Sequence, residues 1–272
     1  MRNHSISPQE MCASLWRNRS LVAILTAREI VGRYKGSVLG IFWSFFHPLF
    51  MLSVYTFVFS VVFKARWGGG TGTNSEFALI LFAGLIVFNL FAECFTRAPN
   101  LILSNVNFVK KVVFPLEILP WAVLGTAVFH AAVSVAVWLA AYCLLYGTPH
   151  VTVLCLPLVL FPLCLLAVGC AWILSSLGVY LRDVSQIVGV LNTVLMFVSA
   201  VFYPLSALPE PYRKLLLLNP LIPAIEQARN VLFWGVSPDW GLLGVQYALA
   251  TGIAWLGFAW FQKTRKGFAD VL

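Results

Sequence analysis

Lys110 and Lys111 stand side by side in NVNFVKKVVFPLEILP, residues 105–120. Two ammonium groups on flexible stems bind phosphate, or an acidic protein groove, as point charges. Arg28, Arg33 and Lys35, within AREIVGRYK, offer similar chemistry. Glu93, Glu117 and His130 are titratable groups in or at the edges of long apolar runs. An ionisable side chain within a membrane segment is a functional hypothesis by default. A proton relay needs several acids at mid-bilayer depth, and the sequence has none there. Glu93 lies close to Arg97, and Glu117 to Lys110 and Lys111, so interfacial salt bridges are expected. His130 is expected to hydrogen-bond between helices. Covalent chemistry has no visible carrier. GxxxxGK[ST], HExxH and GxSxG are all absent. GGGTG at 68–72 follows no strand and reads as a flexible connection. The six cysteines form no CxxC pair, and five lie in apolar runs as small hydrophobes. The reading is a chain that is not an enzyme, with no metal and no cofactor of its own.

The elements that hold these groups are membrane elements. Of 272 residues, 10% are charged and 60% hydrophobic, and the mean hydropathy is +0.88. Soluble domains carry roughly 25% charged residues. Apolar runs fall near 38–63, 77–96, 116–146, 151–181, 184–204 and 240–261. Six transmembrane helices follow, at ~20 residues each. The alternating pattern of a barrel is absent, so the expected fold is an all-α integral membrane protein. No cleavable signal is expected, because the first run is too long for one. A net charge of +8 would suggest nucleic acid in a soluble protein. Here it sets topology, with no nucleic acid expected. With the N-terminus inside, thirteen Lys and Arg fall on inner segments and five on outer ones. Both termini are therefore expected in the cytoplasm.

Three polar stretches interrupt the runs. Residues 98–115 form an inner connection, in which Pro99 can open a helix and Pro115 end it. Its lysines suit either a topology signal with headgroup contact or docking of a cytoplasmic partner. Residues 9–36 mix apolar and basic side chains and suit a helix lying in the inner interface. Residues 205–235 are apolar but broken by four prolines. They read as two short outer helices dipping into the membrane. Aromatics are dense, among them Trp43, Phe46, Tyr55, Phe57, Phe197, Phe202 and Tyr203. They suit lipid contact or stacking on sugar rings along a pathway.

Residues 25–49, LTAREIVGRYKGSVLGIFWSFFHPL, resemble the start of ABC-2-type permeases that export bacterial surface polysaccharides. FVKKVVFPLEILP (108–120), YLRDV (180–184) and LNPLIPAIEQARNVLFWG (218–235) continue the resemblance in order along the chain. The resemblance implies the ABC-2 (type V ABC exporter) fold as a single domain over 1–272. Within it, 1–37 is a cytoplasmic or interface helix, 38–262 the six-span bundle and 263–272 a cytoplasmic tail. It implies a homodimer in the bacterial inner membrane, bound to two copies of a separate ATPase that carries the ATP and magnesium. Asn107, Phe108, Val109, Lys110, Lys111, Val112, Val113, Phe114 and Pro115 become the ATPase-coupling segment. The substrate becomes a glycan on a polyprenyl pyrophosphate, with Arg28, Arg33, Tyr34 and Lys35 placed for the pyrophosphate. The seven aromatics named above become channel candidates. Asn219, Pro220, Glu226 and Arg229 fall in the re-entrant helices.

Overall fold

The computed structural model describes residues 5–58, 67, 74–110 and 114–272. All regular structure among them is helical. Helices α1 (Pro8–Arg17) and α2 (Arg19–Tyr34) meet at Asn18. The imperfect period of 9–36 is thus that of two helices. Ser7 caps α1 by accepting from the Glu10 amide, and Pro8 occupies its first turn. Thr26, Glu29 and Arg33 share one face of α2, since residues three, four and seven apart stack along a helix.

Helix α3 (Trp43–Tyr55) carries Pro48 inside it. Proline has no N–H to donate, so the Ser44 carbonyl loses its usual helical partner. Helix α4 (Asn74–Arg97) is the hub and packs on α3 and on four later helices: α6 (Leu119–Tyr146), α7 (Leu156–Tyr180), α8 (Val184–Val198) and α10 (Leu221–Arg229). A helix that is apolar all round is a buried helix. From Glu76 to Ala92 every residue is buried except Asn89. Helix α11 (Trp240–Thr264) lies along α7. Their backbones touch where Gly169 faces Gly257, and a Cβ on Gly257 would lie 2.3 Å from the Gly169 carbonyl oxygen. Such small-residue contacts hold helices together in lipid, where burial of apolar surface gives no drive.

Five stretches among the described residues are long and apolar enough to cross a membrane: Gly40–Val58, Ser75–Asn100, Leu116–Tyr146, Val151–Tyr180 and Trp240–Val271. The expected span at 184–204 folds differently. Helix α8 has 15 residues, or about 22 Å at 1.5 Å per residue. That is short of the roughly 30 Å hydrocarbon core. The chain then turns at 199–203, with Ala200 in the left-handed region at φ 54°. The outer part of the first run, including Phe63, and GGGTG fall outside the described residues.

The 98–118 connection is not one helix between two prolines. Pro99 sits in a 3-10 turn, Ala98–Asn100; a second turn, Leu103–Asn105, leads into α5 (Val106–Lys110); Pro115 precedes another, Leu116–Ile118. Lys111, Val112 and Val113 lie outside the described residues. Of the expected pairing of Glu117 with the two lysines, the half with Lys110 is replaced. Arg265, 148 residues away, donates to its carboxylate at 2.6 Å, and the Ser14 hydroxyl at 3.1 Å. The Trp172 indole donates to the Glu117 backbone carbonyl at 3.0 Å. Lys110 donates to the Leu272 carbonyl beside α12 (Phe268–Val271). Glu117 therefore ties α1, the start of α6 and the end of α11 into one knot.

Candidate functional site

A cavity of about 960 Å³ opens between α2, α3, α4 and α6, near the end of the bundle where α4 stops and α6 starts. Asn192 of α8 closes one side. Most of its polar lining comes from three helical faces, and α3 adds Ser44 and His47. Helix α4 supplies Asn89, Glu93 and Arg97, each four residues on from the last. Helix α6 supplies Thr126, His130 and Ser134 at the same interval. Helix α2 supplies Glu29, Arg33 and Tyr34. A spacing of four keeps side chains on one helix face, so each helix presents a polar stripe to the same hollow. Close approach of α2 to α6 depends on Gly125, where a Cβ would come within 2.6 Å of Thr26 Oγ1.

The charges form a closed set. Glu93 accepts from Arg33 at 2.7 Å and from His130 Nδ1 at 2.8 Å, with Arg97 at 3.5 Å. Arg97 also donates to Glu29 at 2.5 Å, and Thr126 donates to the same Glu29 oxygen at 3.3 Å. A carboxylate only accepts, so Nδ1 of His130 carries the hydrogen toward Glu93, and Nε2 shares a hydrogen bond with the Tyr34 hydroxyl at 3.1 Å. Two guanidiniums face two carboxylates; Glu29, Glu93 and Arg97 are partly withdrawn from solvent, and Arg33 is exposed. Breaking such a pair by removing one partner costs more than the pair contributes. A smaller hollow of about 160 Å³ continues along α4, sharing Asn89 and Ser134 and reaching Tyr55.

The residues singled out in the sequence divide among several places. Trp43 lines the cavity and Tyr55 the smaller hollow. Phe46, Phe57 and Phe197 are exposed on the outside of the bundle, away from both. Phe202 packs on Phe197 with ring centroids 5.5 Å apart, and the Tyr203 hydroxyl donates to the Phe197 carbonyl. Arg28, Arg33 and Lys35 do not gather into one anion site. Arg33 is held by Glu93, Lys35 is exposed, and the Arg28 guanidinium lies 5.9 Å from the Phe108 ring of α5. Phe108 in turn stacks on Phe114 at 4.3 Å, which brings the two ends of the 107–115 segment together. His130 does bond between helices, as its isolation in an apolar run suggested.

At the other end of the bundle, Arg229 is 1% exposed. It donates to the carbonyls of Ala200 at 2.9 Å, Val201 at 2.6 Å and Ile80 at 3.2 Å, and to Glu226 at 2.8 Å. Trp67 stacks against it, 4.5 Å from the guanidinium carbon to the ring centroid. It thus satisfies the carbonyls freed where α8 breaks. Asn219 supports the same corner, its amide donating to Ser199 at 2.9 Å and its carbonyl oxygen accepting from the Leu221 amide. Pro220 starts α10. Between α8 and α10, α9 (Glu210–Leu216) is the first of the two short helices expected at 205–235. Among the described residues, no three His, Cys, Asp or Glu side chains converge as metal ligands.

The family model described as ABC-2 type transporter matches residues 20–233. The chain belongs to this family. It is 28% identical to the O-antigen export system permease protein RfbA of Myxococcus xanthus over 259 residues, 94% of this chain and 96% of that one. It is 25% identical to a protein of the same name from Klebsiella pneumoniae over 254 residues, 93% and 95% of the two chains. It is 26% identical to the polysialic acid transport protein KpsM of Escherichia coli over 219 residues, 79% and 81%. The ABC-2 motifs read from the sequence fall on the parts just described: RYK ends α2 at the cavity, FVKKVVFP begins within α5, and EQAR ends in Arg229.

Proposed function

We propose that this ABC-2 chain is the transmembrane permease subunit of an ABC transporter that exports a lipid-linked surface polysaccharide, O-antigen-like in kind, across the bacterial inner membrane. The observation that carries this reading is similarity over nearly the whole length to permeases named for O-antigen export. A polar hollow inside an apolar multi-pass bundle supports it.

The machine has two copies of this chain and two copies of a separate ATPase, which binds ATP and magnesium. Both termini face the cytoplasm, α1 and α2 lie in the inner interface, and α9 and α10 re-enter from outside. Helix α8 and the 199–203 corner together make the sixth crossing. Exposed apolar faces on α3 (Phe42, Phe45, Phe50) and α8 (Ile187, Val190, Val194) suit a second copy packed across the channel. Motion of the ATPase is taken up by residues 107–115, with Lys110 and Lys111 against an acidic or polar groove. It passes to α2 through Arg28 on Phe108. Arg28 and Lys35 attract the pyrophosphate at the rim, with Arg33 between them and the cavity. Replacing Arg28, Arg33 and Lys35 together with Gln abolishes export under this reading; unchanged export sinks the role given to them.

The decisive test is deletion of the gene, with polymer measured on intact and on permeabilised cells. Loss from the surface with accumulation inside supports glycan export. Unchanged surface polymer overturns it.

A further inference from the structure

The charge balance of the cavity points to its ligand. We infer that this cavity, inside a single copy of the chain, binds an uncharged sugar unit of the exported glycan and excludes its pyrophosphate. The inference rests on the glycan-export reading and deepens it.

Three observations carry it. First, both guanidiniums in the lining already have carboxylate partners: Arg33 with Glu93, and Arg97 with Glu29 and Glu93. The two guanidiniums and two carboxylates of the lining balance in charge. An incoming phosphate meets two carboxylates and no unpaired guanidinium, and like charges in a partly desolvated site repel strongly. Second, the same lining is rich in both acceptors and donors. Sugar hydroxyls both donate and accept, so they match paired carboxylates and guanidiniums without displacing either. The Asn192 Oδ1 atom, at one wall, is buried with no hydrogen-bond partner. Asn89, the one exposed residue in the buried stretch of α4, faces the main cavity and its extension. An exposed amide on an otherwise buried helix is open to a ligand in the hollow, donating and accepting alike. Third, Trp43 lines the cavity while its ring remains partly open, a flat apolar surface for the C–H face of a pyranose. At about 960 Å³ the space sits at the upper end of the roughly 300–1,000 Å³ of ordinary ligand pockets, enough for a short run of sugars. The pyrophosphate stays outside, with Arg28 and Lys35.

The test uses the full chain, assembled with its ATPase in nanodiscs, and equilibrium calorimetry. One probe is an oligosaccharide of a few sugars cut from the cells' own surface polymer, free of lipid and phosphate. The other is inorganic pyrophosphate. Wild type is expected to bind the oligosaccharide and to hold it against an equal concentration of pyrophosphate. Asn89→Leu is expected to bind about tenfold more weakly, the worth of one ordinary hydrogen bond. Glu93→Gln leaves the lining with a net positive charge and is expected to lose sugar affinity and gain pyrophosphate binding. Displacement of the sugar by pyrophosphate from wild type overturns the inference. So does absence of sugar binding to wild type, or an unchanged affinity in Asn89→Leu. If Glu93→Gln does not fold, Asn89→Leu decides alone, because its side chain meets the hollow and its helical neighbours are untouched. The glycan-export reading fails separately, through the deletion strain. Surface polymer lost on deletion, with no sugar bound by wild type, removes this inference and leaves that reading standing.

Discussion

Arg229 is the side chain on which most backbone depends. One guanidinium, always charged and planar, reaches three carbonyls and a carboxylate. Gly84 makes the room for it, since a Cβ there would stand 2.5 Å from a guanidinium nitrogen. Arg229→Ala leaves those carbonyls unpaired in a membrane interior. A loss of ~3–5 kcal/mol is expected, the usual effect of orphaning one partner of a buried charged group. Arg229→Lys is not expected to restore it, because an ammonium cannot form the same fork. Thermal unfolding in detergent measures both; a melting temperature like wild type in Arg229→Ala means something else holds the corner. Glu117 and Arg265 admit a cleaner measurement, a double-mutant cycle with Gln and Met. Coupling of roughly 0.5–3 kcal/mol is expected for contacting residues. Additive effects would show that the knot is not energetically real.

At the scale of elements, helix contacts in this bundle are set by the absence of side chains. On α11, Gly257 and Gly252 look alike in sequence and differ in place. Gly257 meets the backbone of α7, whereas nothing lies within 4 Å of a Cβ at Gly252. Gly257→Ala is expected to destabilise by ~1–3 kcal/mol, because backbone cannot step aside. Gly252→Ala is expected to be neutral or to stabilise by up to about 1 kcal/mol, since alanine is the better helix former. Membrane-extracted protein surviving a heat step separates the two; equal survival would contradict the close packing. The apolar runs made most of the long helices legible: the third and fourth agree with the helices to within a few residues. The break in α8 was not legible, because VSAVFYP reads as continued hydrophobicity and its cause, Arg229, lies some thirty residues on. The polar cavity was missed for a similar reason. Glu93 and His130 were weighed singly, while the signal was their repetition with polar neighbours at intervals of four along α4 and α6. Glu117 was matched to the lysines nearest in sequence, and its true partner is nearest only in space.

The whole molecule has two working ends joined by α4. Arg229 and the 199–203 corner pack on one part of it, and the cavity with the 107–115 segment gathers at the other. A rigid, fully packed hub carries displacement rather than absorbing it. Lys110→Glu combined with Lys111→Glu is therefore expected to stop export while leaving the amount of permease in the membrane unchanged, because Lys110 is exposed and outside the core. Surface polymer and immunoblot of membranes read the two quantities. Export at the wild-type rate would argue against coupling through this segment.

The Glu93–Arg97 pair lies four residues apart on one helix, and that has a consequence for how the chain enters the bilayer during synthesis. A bare acidic or basic side chain costs about 2.5–3.5 kcal/mol at the centre of a crossing helix on the translocon scale, and less toward the end, where Glu93 and Arg97 stand. Helix α4 brings its own counter-ion, so it can partition as a nearly neutral segment before α6 and His130 have left the ribosome. Helix α2, made earlier still, is waiting with Arg33 and Glu29. The polar heart of the protein can thus be assembled in the order of translation.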